Sequence, residues 1–143
     1  METKKLPLMV LYDTGESWEL KPDSIPIAIF IDSDSEAVYV KDLEKTDYIY
    51  ARTLCDEMDV ANLFWCLPTD KQLKKLLCVM DDFNKTAELL GVEPLKKAKY
   101  WSRRLIFNGI RLGINFALEK EVAISECEYA YTRPFLRLHN YGV

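Results

Sequence analysis

Between Pro94 and Leu118 the chain carries Lys96, Lys97, Lys99, Arg103, Arg104 and Arg111, and no acidic residue. Guanidinium groups fork onto carboxylate, phosphate and sulfate oxygens, so this run could offer anions or sugars a positive face. The candidate ligand-binding residues are Arg103, Arg104, Asn108, Arg111 and Asn115. Side chains alternate along a strand, so Arg103 and Arg104 should not both address one ligand. The plainer alternative is a solvated surface whose lysines and arginines pair with acids elsewhere in the fold.

Other chemistry finds little support. His139 is the only histidine, and it stands beside no cluster of cysteines or carboxylates that would hold a metal. Ser17, Ser24, Ser33, Ser35, Ser102 and Ser125 lack the strand-turn-helix context of a nucleophilic serine. Five glycines form no phosphate-cradling loop. Asp32, Asp34 and Glu36 alternate with serines, yet lack the glycine and distal glutamate of a calcium loop. A solvated turn is the expectation there. No catalytic residue, metal or cofactor is therefore expected.

Cys55, Cys66, Cys78 and Cys127 fit no zinc or Cys-x-x-Cys spacing. Each lies within or beside apolar sequence, so buried free thiols are expected, which favours a reducing compartment. The expected location is cytoplasmic as the sequence stands, or the cell surface if a leader has been removed. The early run from Lys4 to Tyr12 is short, and Asp13 and Glu16 follow it without a small-residue cleavage site, so it reads as a strand.

The elements that must position these residues come next. The chain has 143 residues, 49% hydrophobic and 29% charged, which suits one folded domain over residues 1–143. Its net charge of -4 argues against dedicated nucleic-acid binding. No apolar run approaches the roughly 20 residues of a membrane span. Leu6 to Tyr12 is a strand candidate, and Ile25 to Ile31 with Ala37 to Val40 reads as a hairpin. Thr46 can cap a helix with Ala51, Leu54, Cys55 and Met58 on one face. Thr69 caps a second, with Gln72 completing a capping box. An apolar stripe from Leu73 to Leu90 predicts one continuous helix, stopped by Gly91 and Pro94.

Tyr100 to Phe107 and Ile110 to Leu118 then predict a strand pair about the Asn108-Gly109 turn. Glu119 to Glu121 begins a turn. Cys127 to Leu138 reads as a last long strand, broken or bulged near Pro134. Strands, two helices and strands again make the expected fold class α+β.

Trp65, Leu67, Pro68, Thr69, Gln72 and Leu73 stand in the order Trp-x-Leu-Pro-Thr-x-x-Gln-Leu. Asn84, Gly91, Pro94, Leu95, Tyr100-Trp101-Ser102 and Arg133-Pro134 follow. This ordered set resembles the bacterial Lcl C-terminal-domain family, over about residues 25–138. Gln72 stands where glutamate is common, and Arg103 and Arg104 replace the usual Ser/Thr. The resemblance implies a C-type-lectin-like fold, related to formylglycine-generating enzymes, with two helices packed on antiparallel strands. The N-terminal strand would be an extension of that core.

What it implies about function is a non-enzymatic ligand- or protein-recognition module, because similar domains occur in adhesins, surface and phage proteins, and diversified receptors. Glu93-Pro94-Leu95 lacks the asparagine of a calcium-dependent sugar site, so binding would be calcium-independent. The expected partner is an unknown protein or an anionic or glycan ligand. The alternatives are a structural or assembly protein of a phage or bacterial surface complex and, last, an enzyme on the formylglycine-generating scaffold.

Overall fold

An unbroken apolar run such as Ile27 to Ile31 suits a strand covered on both faces, and the computed structural model uses it so. It describes residues 4–32 and 36–137. Ser33, Asp34, Ser35 and His139, considered above, lie outside the described residues, as does the end of the expected last strand.

β1 (Lys5–Tyr12) and β2 (Gly15–Glu19) form a hairpin. β3 (Pro26–Asp32) pairs with β1 on one side and β4 (Glu36–Tyr39) on the other, Val10 facing Ile29 and Ile29 facing Val38. The sheet is completed by β11 (Phe135–Leu136) and β6 (Trp65–Cys66), in the order β2-β1-β3-β4-β11-β6. A second sheet runs β5-β10-β7-β8-β9. Its strands are β5 (Leu43–Thr46), β7 (Lys99–Phe107), β8 (Ile110–Asn115), β9 (Lys120–Ser125) and β10 (Ala130–Thr132). The α+β class is therefore seen.

Three α-helices, not two, occur among the described residues: α1 (Tyr48–Glu57), α2 (Asp70–Cys78) and α3 (Met80–Leu90). The cap of α1 is Asp47, whose Oδ1 accepts the Tyr50 N–H at 2.9 Å. Thr46 cannot serve, because its backbone belongs to β5 and pairs with Ala130. The α2 capping box forms as expected. Thr69 Oγ1 accepts the Gln72 N–H at 3.1 Å, and Gln72 Oε1 accepts the Thr69 N–H at 2.9 Å.

The continuous Leu73–Leu90 helix does not exist, since the chain leaves helical geometry at Val79. No proline or glycine stands there. The break follows packing: α2 lies against β7 and β8, α3 against β1, and both reach β3. One straight rod would not serve both sets of neighbours. Gly91 ends α3 in the left-handed region, φ 74°, with the Val92 N–H bonded to the Ala87 carbonyl.

The expected last long strand also divides. β10 pairs in parallel with β7, against the all-antiparallel expectation, and β11 inserts between β4 and β6 in the other sheet. Arg133-Pro134 makes the crossing. Proline has no N–H to offer a ladder, while its carbonyl accepts the Tyr39 N–H at 2.9 Å. The turn expected at Glu119 to Glu121 comes earlier, where Asn115 Oδ1 accepts the amides of Ala117 and Leu118. β9 follows it at once.

The largest core lies between the six-stranded sheet and α2 and α3, around Val10, Ile29, Leu73, Leu76, Phe83 and Phe135. Another collects on that sheet's other face around Phe30, Tyr39 and Trp65. A third lies under α1, where Tyr48, Cys55, Leu67, Ile124 and Ala130 surround Trp101. Trp101 is fully buried, its Nε1 donates to the Thr46 carbonyl at 3.0 Å, and its ring meets Tyr48 edge-on at 5.4 Å. No helix among the described residues is long and apolar enough to cross a membrane.

Candidate functional site: an arginine cleft

The third core supports a cleft on its outer side. α1 contributes Tyr48, Arg52 and Asp56, spaced four residues apart and so on one helical face. β6 and the residue after it contribute Cys66 and Leu67. Arg103 comes from β7, Arg111 from β8, and Arg137 from just beyond β11. The cleft encloses about 340 Å³.

Long-range pairing brings these segments together. Leu136 faces Trp65 across the β11–β6 ladder, and the Arg137 N–H bonds the Phe64 carbonyl at 2.8 Å. The Arg103 N–H bonds the Pro68 carbonyl at 2.9 Å, tying β7 to the entry of α2.

Arg111 is held firmly. Its Nε donates to Glu126 Oε2 at 2.7 Å, its Nη1 donates to the Arg103 carbonyl at 2.9 Å, and its guanidinium lies 4.0 Å over the Tyr48 ring. Arg52, Arg103 and Arg137 have no carboxylate within 4 Å among the described residues. Four guanidiniums thus face two carboxylates, Asp56 in the lining and Glu126 beside it, leaving a local positive excess in a chain of net charge -4.

Burial biases the thiols nearby toward their protonated form. Burial pushes the Cys66 thiol above its ordinary value, against the pull of Arg103 and Arg137. Its Sγ lies 3.5 Å from the Phe135 carbonyl, to which it donates. Burial drives Cys55 up to about 12, helped by Cys66 and Asp56. Burial also raises the Tyr48 hydroxyl, outweighing Arg111 and Arg52, so it remains a neutral phenol at physiological pH. The cleft can therefore hold an anion by charge and hydrogen bonding.

Two of the five expected residues, Arg103 and Arg111, meet here. Arg104 points elsewhere and pairs with Asp70 at 3.2 Å in the first turn of α2, as strand alternation requires. Asn108 is exposed in the hairpin turn. Asn115 closes the opposite end of β8 and lines a separate hollow with Lys45, Lys97, Lys99 and Tyr129. Part of the basic run does pair with acids elsewhere: Lys96 bonds Asp42 and Glu93, and Lys99 reaches Glu128 at 4.0 Å.

Sequence reasoning missed Tyr48, Arg52, Asp56 and Arg137. The four-residue spacing on α1 was a usable signal. Arg137, three residues past Pro134, carried none. Asp32 at the end of β3 and Glu36 at the start of β4 lean on α2, with Asp32 2.8 Å from Lys75 and Glu36 accepting from Gln72 at 2.7 Å. All four cysteines are free, but Cys78 and Cys127 are exposed rather than buried. Cys78 stands at the end of α2 off the buried Leu73 and Leu76 stripe, and Cys127 in the turn after β9. No protein-family model and no curated protein sequence matches the chain.

Proposed function

We propose that the chain is a non-enzymatic, calcium-independent recognition module whose arginine cleft binds an anionic group on its ligand. The observation that carries this is a set of three guanidiniums, Arg52, Arg103 and Arg137, sharing one cleft with no carboxylate of the described residues within salt-bridge distance. Such groups are stabilised by an incoming carboxylate, phosphate or sulfate, at about 1.5–3 kcal/mol per charge-assisted hydrogen bond. The ordered motif from Trp65 to Pro134 supports a C-type-lectin-like scaffold of the Lcl C-terminal-domain kind. Its Pro68, Thr69, Gln72 and Gly91 act as strand end, helix cap and helix stop. The ligand cleft would then lie on the Tyr-Trp-Ser strand, with Arg103 immediately after the motif.

Titration of the full chain with sodium acetate, phosphate and sulfate, followed by calorimetry, tests the reading. At least one anion should bind saturably, and Arg103→Ala or Arg137→Ala should weaken it about tenfold, since 1.4 kcal/mol is one decade. Binding that is absent, or that keeps the affinity of the unsubstituted chain in both variants, would remove the site.

A structural or assembly role is a second reading. It is favoured by Leu105, Ile106 and Phe107, three consecutive exposed apolar residues at the β7–β8 hairpin tip. A concentration-dependent sedimentation coefficient would support it.

A further inference from the structure

Large apolar side chains stand exposed on three segments that adjoin cleft residues in sequence or strand register. Ile49 on α1 is 59% exposed and lies one turn before Arg52. Phe64 is 64% exposed, and its carbonyl holds the Arg137 amide. Leu105 is 52% exposed and stands opposite Arg111 in the β7–β8 register, hence on the same face of the sheet. A cationic centre with apolar groups beside it is the anatomy of a protein-docking hot spot. There a few arginines and large side chains carry the energy, and surrounding contacts exclude water.

We infer that this surface docks a partner protein that presents an acidic side chain flanked by apolar residues, the carboxylate entering the cleft among Arg52, Arg103 and Arg137. The inference rests on the reading of the cleft as an anion site and names its ligand. Charge decides between sources. A net charge of -4 gives the chain no long-range attraction to an anionic bilayer. Apolar neighbours on the partner then give Ile49, Phe64 and Leu105 something to cover, which a free anion does not.

The test is an array of end-blocked heptapeptides with glutamate at the centre and every pairing of flanking residues, beside a glutamine-centred copy and a phosphoserine-centred copy. The full-length chain should select leucine, isoleucine, phenylalanine or methionine flanks by about tenfold over serine flanks, and lose the signal on the glutamine copy. Phe64→Ser and Leu105→Ser should each weaken the best peptide about fivefold while leaving its melting temperature and its affinity for acetate unchanged. Acetate binding without any preference for apolar flanks overturns this inference and leaves the anion site standing. Failure of acetate, phosphate and sulfate alike removes the anion site itself. Tighter binding of the phosphoserine copy, Leu105-dependent binding to phosphatidylserine vesicles, or a dimer abolished by Leu105→Ser would each replace the partner named here.

Discussion

Arg133 and Arg103 show what one side-chain type does in two settings. Arg133 is fully buried where the chain crosses between sheets. Its Nε donates to the Tyr39 carbonyl at 2.8 Å, its Nη1 to Asp42 Oδ1 at 3.1 Å, and its Nη2 to the Glu93 carbonyl. Asp42 in turn accepts from the Tyr100 hydroxyl at 2.8 Å and from Lys96 Nζ at 2.9 Å. Burial pushes the Asp42 carboxyl up, while Arg133 and Lys96 draw it down. Glu93 ends below its ordinary value, because the Asp42 amide and Lys96 outweigh its partial burial. Every direction of the Arg133 guanidinium is used internally, so it joins the β10–β11 crossing to the segments before β5 and β7. Arg103 is exposed, and among the described residues only its backbone is committed, to Pro68 and to Arg111. A guanidinium spent on the chain's own carbonyls holds the fold. One left unspent in a cleft is free for a ligand.

The largest expected effect breaks the buried member. Arg133→Ala removes the buried cation beside Asp42, leaving Asp42 with Tyr100 and Lys96 alone, and takes the donor from the Tyr39 and Glu93 carbonyls; it should cost about 3–5 kcal/mol in urea unfolding. Next comes the sheet beneath the cleft. A Cβ on Gly113 would collide with the Ile124 side chain and sit 2.6 Å from the Tyr100 carbonyl oxygen. Gly113→Ala should therefore cost about 1–3 kcal/mol and also weaken anion binding, because Gly113 lies two residues from Arg111.

A third prediction concerns Cys55 below the cleft. Its folded-state pKa is raised to about 12, so the stability it contributes is intact below the ordinary thiol value and is lost as pH rises from there toward 12. The slope should approach about 1.4 kcal/mol per pH unit, and Cys55→Ser should flatten it. Thiol labelling at pH 8 should modify Cys78 and Cys127 first. The smallest effect on stability belongs to the cleft: Arg103→Ala should change unfolding free energy by less than about 0.5 kcal/mol while reducing anion affinity about tenfold.

This contrast also marks how far the sequence was legible. Thr69 with Gln72, Asn108 with Gly109, and Gly91 could be read directly, because caps and turns are set by a few neighbouring residues. The break at Val79 and the sheet change at Arg133-Pro134 could not, because both depend on which distant strands the segment meets. The candidate site divides in the same way. Arg103 and Arg111 were visible as part of an acid-free run on one hairpin. Arg52 and Arg137 join them only through the packing of α1 on β6 and the pairing of β6 with β11. Arg104, adjacent to Arg103 in the same run, serves Asp70 instead.

Arginine side-chain NMR tests the division between held and available guanidiniums most directly, since the Nε–H signals of both regions appear in one spectrum. On titration with sodium acetate, the account predicts that Arg103 and Arg137 shift along a saturable curve while Arg133 does not move. Shifts that are linear and equal at every arginine, or a saturable response at Arg133 with none at Arg103, would contradict it.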